Sequence, residues 1–151
     1  MTKQYYERHS LAVALQPYLV TQGWTGVTTV YEGFASDKQI VVPFVSVYFL
    51  PSRGQELQMG RGTQRSFIRN IQVDAYMESE SRAMSIADDV YDFIDGIPIA
   101  IVDPSSVTVG TLYNSNSELI TINVLPPNMA QPKVIRWRAI IQAPLEAHYN
   151  A

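Results

Sequence analysis

The sequence predicts an α+β fold in which two main helices pack on one face of a mostly antiparallel sheet. Helical periodicity of apolar residues appears twice, near the N-terminus and in the middle of the chain. Alternation of apolar and polar residues, which is typical of strands, fills the segments after each helix. Helix, strands, helix, strands is the element order of an α+β sandwich. With 151 residues, the chain is predicted to be one domain, residues 1–151.

The first helix is predicted from Tyr5 to Gln22. Its apolar face carries residues at helical spacing, Leu11, Leu15, Tyr18 and Leu19. Pro17 lies inside this pattern, so we expect a kink or a break after Gln16. Gly23 is well placed to end the helix.

Three strands are predicted between the two helices, at Val27–Tyr31, Val41–Leu50 and Ser66–Met77. In the third, one face is apolar and predicted to face the core, with Phe67, Ile71, Val73, Ala75 and Met77. The second helix follows Ser79, which is predicted to be its N-cap, and ends at Gly96 and Pro98. Its apolar stripe comprises Ala83, Ile86, Ala87, Val90, Ile94 and Ile97.

The C-terminal third is predicted to be β-structure. Val107–Leu112 and Leu119–Leu125 are separated by a turn-rich segment and are expected to form a hairpin. Lys133–Gln142 is predicted to be the last strand, and the tail Glu146–Ala151 receives no assignment. The last strand is expected to point two side chains outward, Arg136 and Arg138.

The composition excludes several classes of function. The chain contains no cysteine, which excludes thiolate nucleophiles and cysteine zinc sites. Its net charge of −3 argues against non-specific DNA binding as the main role. The N-terminus has no apolar core of a signal peptide, and no apolar run approaches the roughly 20 residues that span a bilayer. We therefore expect a soluble protein made in the cytoplasm, without membrane contact.

Charge is separated along the chain. The segment from residue 53 to residue 69 is basic apart from Glu56, and the second helix is acidic apart from Arg82. Two oppositely charged surfaces on one small domain suit a protein that packs head-to-tail against copies of itself. The residues predicted to lie at a subunit interface or a ring lumen are Arg53, Arg61, Arg65, Arg69, Glu80, Asp88, Asp92 and Asp95.

The segment Pro51–Arg65 is predicted to be a long irregular loop. It contains three glycines, and loops of about 15 residues within a domain are usually functional. We expect it to be mobile in an isolated subunit and to project toward a neighbouring subunit, the ring lumen or the tube below.

No catalytic, cofactor-binding or metal-binding set is predicted. His9 and His148 lie near opposite ends of the chain and belong to no nucleophile motif. The aspartates of the second helix are spread over a helix face, whereas a cation loop would place carboxylates on a glycine-containing turn. We therefore expect a protein that is not an enzyme and has no cofactor.

Several of these features together resemble one family. They are the helix that ends at Gly23-Trp24, the proline-bounded strand near Val41–Leu50, the Gly/Arg-rich loop, and the segment QVDAYMESESRAMSIADDV at residues 72–90. This layout resembles the tail-terminator (tail-completion) proteins of long-tailed bacteriophages. The resemblance implies a homohexameric ring in the virion neck, assembled in the host bacterial cytoplasm. Its implied partners are the tail tube protein and a head-side connector or adaptor, with DNA only in passage through the lumen.

Two alternatives stay open at this stage. One is another neck component, such as a head-completion or connector-adaptor protein, which would also form a ring. The other is a small ligand-binding α+β domain with a pocket lined by Trp24, Tyr48 and Trp137.

Overall fold

A computed structural model of the protein describes residues 3–33, 42–50, 56–57, 65–114, 116–127 and 136–150. Within these ranges it contains two α-helices, α1 (Lys3–Thr21) and α2 (Glu80–Asp95), and a short 3-10 helix, Ser117–Leu119. The strands are β1 (Val30–Glu32), β2 (Phe44–Phe49), β3 (Glu56–Leu57), β4 (Arg65–Met77), β5 (Pro98–Val102), β6 (Thr108–Asn114), β7 (Thr121–Leu125) and β8 (Trp137–Tyr149).

All eight strands belong to one curled sheet. Its main order is β1-β2-β4-β8-β6-β5, with β3 paired to β4 and β7 paired to β8. The β1–β2 pair is parallel, and the other described pairs are antiparallel. The α+β class, with two helices on a mostly antiparallel sheet, is confirmed.

The two longest strands, β4 and β8, form the centre of the sheet. They pair from Arg65 opposite Tyr149 to Met77 opposite Trp137. Because side chains alternate along a strand, the sheet has two distinct faces. We call the face that packs against both helices the inner face, and the opposite one the outer face. The inner face of β4 carries Ile71, Val73, Ala75 and Met77, all fully or almost fully buried, as the alternation predicted.

Helix α1 packs against the strands at both ends of the sheet, β1 and β5. Three leucines at helical spacing are fully buried, Leu11, Leu15 and Leu19. The hydroxyl of Ser10 accepts a hydrogen bond of 2.9 Å from the backbone N–H of Val102 in β5. The first helix therefore bridges the two edges of the curled sheet.

We expected either a kink or a break after Gln16, and the break is excluded because α1 continues through Pro17 to Thr21. A proline in a helix leaves the carbonyl four residues earlier without its partner. Here that residue is Val13, which is 58% exposed, so water can satisfy the carbonyl. The position of the proline on the exposed side explains why the helix tolerates it.

Helix α2 begins and ends where the sequence predicts. The Ser79 hydroxyl accepts a hydrogen bond of 3.3 Å from the backbone N–H of Arg82, and Gly96 forms the C-cap. Strand β5 starts at Pro98, directly after the helix, and was not predicted.

The C-terminal part of the sheet differs from the prediction in two ways. The expected hairpin is wrong, because β6 and β7 do not pair with each other but follow one another along the same side of β8. The unassigned tail from Glu146 to Tyr149 is the end of β8 and pairs with both β4 and β6. The last strand thus pairs with three others, β4, β6 and β7.

Candidate assembly surfaces

The acidic residues predicted on the second helix lie together on its solvent side. We call this set the acidic face, and all four members are exposed: Glu80, Asp88, Asp92 and Asp95. Asp95 also accepts a hydrogen bond from the Ser117 hydroxyl. The neighbouring Asp89 points inward instead and accepts a hydrogen bond of 2.6 Å from Trp24 Nε1.

The acidic face is not neutralised by the helix that carries it. Arg82 is the single basic residue of α2, and its Nε lies 2.9 Å from the carboxylate of Glu78. Its guanidinium carbon also lies 5.0 Å from the centre of the Trp24 ring. Arg82 is thus engaged at the start of the helix, so a partner of the acidic face should be basic.

Arg69 does not lie at an interface or lumen, and this part of the predicted site is wrong. It is 7% exposed, and its Nε donates a hydrogen bond of 2.7 Å to Glu7 of α1. The hydroxyl of Tyr149 donates to the same carboxylate at 2.8 Å. Burial, together with the Glu7 charge, raises the pKa of Tyr149. Arg69 therefore fixes α1 to the inner face of the sheet.

The remaining basic residues of the predicted set are less fully described. Arg53 and Arg61 lie outside the described residues, and Arg65 is the first residue of β4, opposite Tyr149. Their expected role stays a prediction. Part of the predicted loop is regular, because Glu56 and Leu57 form β3 opposite Phe67 and Ser66. For these two residues the expectation of an irregular, projecting loop is wrong.

Strand β7 is an exposed edge strand that the sequence did not single out. It pairs with β8, and no other described strand pairs with its second side. Four of its five residues are exposed. Apolar side chains are prominent there, with Ile122 and Leu125 on the strand and Leu119 just before it, 37%, 42% and 56% exposed. An apolar edge of this kind is a typical surface for pairing with another chain.

The outer face of the sheet carries a buried polar network centred on Asp74, which is 1% exposed. Its carboxylate accepts hydrogen bonds from the Tyr48 hydroxyl at 3.0 Å, from Gln72 Nε2 at 2.8 Å and from Arg138 Nη2 at 2.7 Å. Gln142 on β8 donates in turn to Gln72 at 2.8 Å. This network ties β2, β4 and β8 together on the side away from the helices.

Two arginines border this network at the end of the sheet where β4 stops and β8 begins. The guanidinium carbons of Arg136 and Arg138 lie 5.6 and 5.7 Å from the centre of the Tyr76 ring. We call Arg136 and Arg138 the arginine pair. Arg138 keeps 31% of its side chain exposed although it pairs with Asp74. Burial lowers the pKa of Arg138, but the hydrogen bond and charge of Asp74 outweigh it, so the net shift is upward.

His148 is part of a side-chain cluster that was not predicted from the sequence. Its Nδ1 lies 2.8 Å from the Ser66 hydroxyl, and its Nε2 lies 3.2 Å from the Glu146 carboxylate. Nucleophilic catalysis needs an accessible hydroxyl and free donors for the developing oxyanion. Ser66 is 4% exposed and sits between β3 and β8, which both pair with its strand. The cluster is therefore a cross-strand tie between β4 and β8.

The pocket expected between Trp24, Tyr48 and Trp137 is not formed. Trp24 and Trp137 belong to or pack against the core, whereas the Tyr48 side chain lies on the outer face beside Asp74. A groove of about 600 Å³ does lie between α1 and β5, lined by residues such as Tyr5, Val13 and Val102.

In the described ranges, no group of three or more His, Asp or Glu side chains is arranged to hold a metal ion. Neither α1 nor α2 is long and apolar enough to cross a membrane. Comparison of the sequence with models of known protein families and with curated proteins finds no match in either set.

Replacing Arg69 tests its assignment to the core. We expect Arg69→Met to lower the free energy of unfolding by about 3–5 kcal/mol, because Glu7 stays buried without its cation. Replacing both residues, in Glu7→Leu/Arg69→Met, should recover part of the loss. Arg82→Met removes an exposed pair and should cost at most about 1 kcal/mol. Urea unfolding measures all three, and equal losses for the two arginine variants would contradict the assignment.

The outer-face network predicts an alkaline dependence of stability. Burial and then the Asp74 carboxylate raise the pKa of Tyr48 to about 12. An unfolded tyrosine ionises near pH 10, so the folded state holds this proton more tightly. The resulting stability is present below about pH 10 and is lost as the pH rises from about 10 to about 12.

We expect Tyr48→Phe to show a shallower loss of stability across this alkaline window than the wild type. At pH 7 it should be about 1 kcal/mol less stable, because the hydrogen bond to Asp74 is gone. Urea unfolding between pH 7 and pH 12 is the measurement. Parallel curves for the two proteins would contradict the role of Tyr48.

Proposed function

We propose that this protein is a ring-forming structural protein of a bacteriophage tail, of the tail-terminator kind. The observation that supports the proposal most is the exposed apolar edge of β7, whose second side pairs with no other described strand, on a domain that also carries an exposed acidic face. Leu119, Ile122 and Leu125 expose apolar area on or beside this edge. A subunit of a larger assembly is the kind of protein that needs both an apolar contact and a charge pattern.

The energies of ion pairing and of apolar burial differ, so the charged and the apolar surfaces have different roles in assembly. Exposed ion pairs contribute roughly 0–1 kcal/mol each, so charges can set the register of a contact but cannot hold it together. A stable interface buries about 1,000 Å² or more, much of it apolar at its centre. In this account the β7 edge supplies the affinity, and the acidic face selects the orientation.

A ring made of such subunits would cap the tail tube and present its other side to the head connector or adaptor. Head-to-tail contacts use two different patches on each subunit, and they close into a ring when the rotation between neighbours allows it. DNA would pass through the lumen without being held, which suits a chain with a net charge of −3. This role involves no chemical step and no cofactor.

The apolar edge of β7 provides the first test of assembly. We expect the wild-type chain to form a homohexameric ring, and Leu119→Ser/Ile122→Ser to shift the equilibrium toward monomer by about tenfold or more, because each apolar side chain contributes about 1.5–3 kcal/mol when fully buried. Size-exclusion chromatography with light scattering measures the mass over a range of concentrations. Val107→Ser is the matched control, since Val107 is also 56% exposed but lies in the turn before β6.

Two outcomes would count against the proposal. A wild-type chain that stays monomeric at every concentration, including in the presence of purified tail tubes, would contradict ring formation.

Electron microscopy of tails made without the protein separates the two neck roles. Over-long tails support a terminator, whereas tails of normal length that fail to join heads support a head-completion or connector-adaptor protein.

A further inference from the structure

We propose that the acidic face of α2 in one subunit binds the arginine pair, Arg136 and Arg138, on the outer face of the next subunit. This inference rests on the proposed function, because it names the two patches that meet when copies of the chain assemble.

The charges of the two patches are complementary and available. The acidic face presents four exposed carboxylates, and the basic residue of its own helix pairs with Glu78. On the other side, Arg136 forms no ion pair with any described residue and stacks near Tyr76. Arg138 donates a hydrogen bond from Nη2 to Asp74 and keeps about a third of its side chain exposed. A guanidinium group offers up to five donors, so such an arginine can still bind a second carboxylate.

The position of the two patches makes the contact intermolecular. Helix α2 packs on the inner face of β4 and β8. Tyr76 and Arg138 are register partners on the outer face of the same two strands. The sheet therefore separates the patches within one subunit, and they can meet only between copies. Because the two patches differ, the contact is heterologous and can repeat around a ring.

The arginine pair also borders the apolar edge described above. Leu125 of β7 lies opposite Arg138 in the β7–β8 ladder and is 42% exposed. A partner helix that reached the arginines would therefore lie beside apolar surface as well. An apolar centre with charged residues at its border is the usual composition of a specific protein–protein interface.

A mixing experiment with two charge-reversal variants tests the contact. In Arg136→Glu the basic patch loses the arginine that pairs with no described acidic residue, and in Asp88→Arg/Asp92→Arg the acidic face becomes basic. Arg138 is left in place because Asp74 depends on it. Circular dichroism and thermal unfolding first establish that both variants fold. Gln4→Glu, which adds a negative charge at an exposed position of α1 away from both patches, serves as the control.

Each variant alone is expected to need about tenfold more protein than the wild type to assemble, because attraction at one contact becomes repulsion. An equimolar mixture should recover assembly at least in part. In the mixture, one type of contact is wild-type and the other pairs the new arginines with the new glutamate. The recovery should weaken in about 0.5 M salt, where the Debye length falls to about 4 Å.

The outcomes separate this inference from the proposed function. Rings formed by the wild type and equally well by both variants would overturn the inference and leave ring formation standing. Loss of assembly in both variants without recovery on mixing would also overturn it. A wild type that never assembles would contradict the proposed function and the inference together.

Discussion

The fold depends on the placement of α1 between the two ends of a curled sheet. The buried pair of Glu7 and Arg69, with Tyr149 bonded to the same carboxylate, fixes the helix to the central strands. A buried ion pair adds little net stability over apolar residues, but a broken one is costly, so it strongly disfavours other placements of the helix. With α1 packed against β1 and β5, both ends of the main sheet are covered on their inner side. Strand β7 is left as the exposed apolar edge.

Side chains alternate in direction along each strand, and the two faces of the sheet that result have different roles. The inner face is apolar and packs against both helices, whereas the outer face gathers polar groups around Asp74. The three donors to this carboxylate compensate for its burial. The same network leaves Arg138 partly exposed at its border. Positive charge on the outer face and negative charge on α2 are thereby held apart by the thickness of the sheet.

Local patterns predicted both helices, most strands and the inward face of β4, because these depend on short-range periodicity. The buried ion pair of Glu7 and Arg69 could also have been predicted from the sequence, but it was not. Arg69 lies two residues before Ile71 on a strand, and Glu7 lies four residues before Leu11 on a helix. Each charged side chain is therefore on the buried face of its element. The course of β6 and β7 was not predictable locally, because both pair with β8. The exposed edge of β7 depends on that same non-local pairing.

Disulfide trapping between the acidic face and the arginine pair tests the central claim most directly, since the chain has no cysteine of its own. In the variant Asp88→Cys/Arg136→Cys, oxidation of the assembled protein should give a ladder of covalent oligomers that ends at the closed ring. Each single-cysteine variant should stay uncrosslinked, because a head-to-tail contact never places identical positions together. Covalent dimers from either single variant, or no ladder from an assembled double variant, would contradict the account.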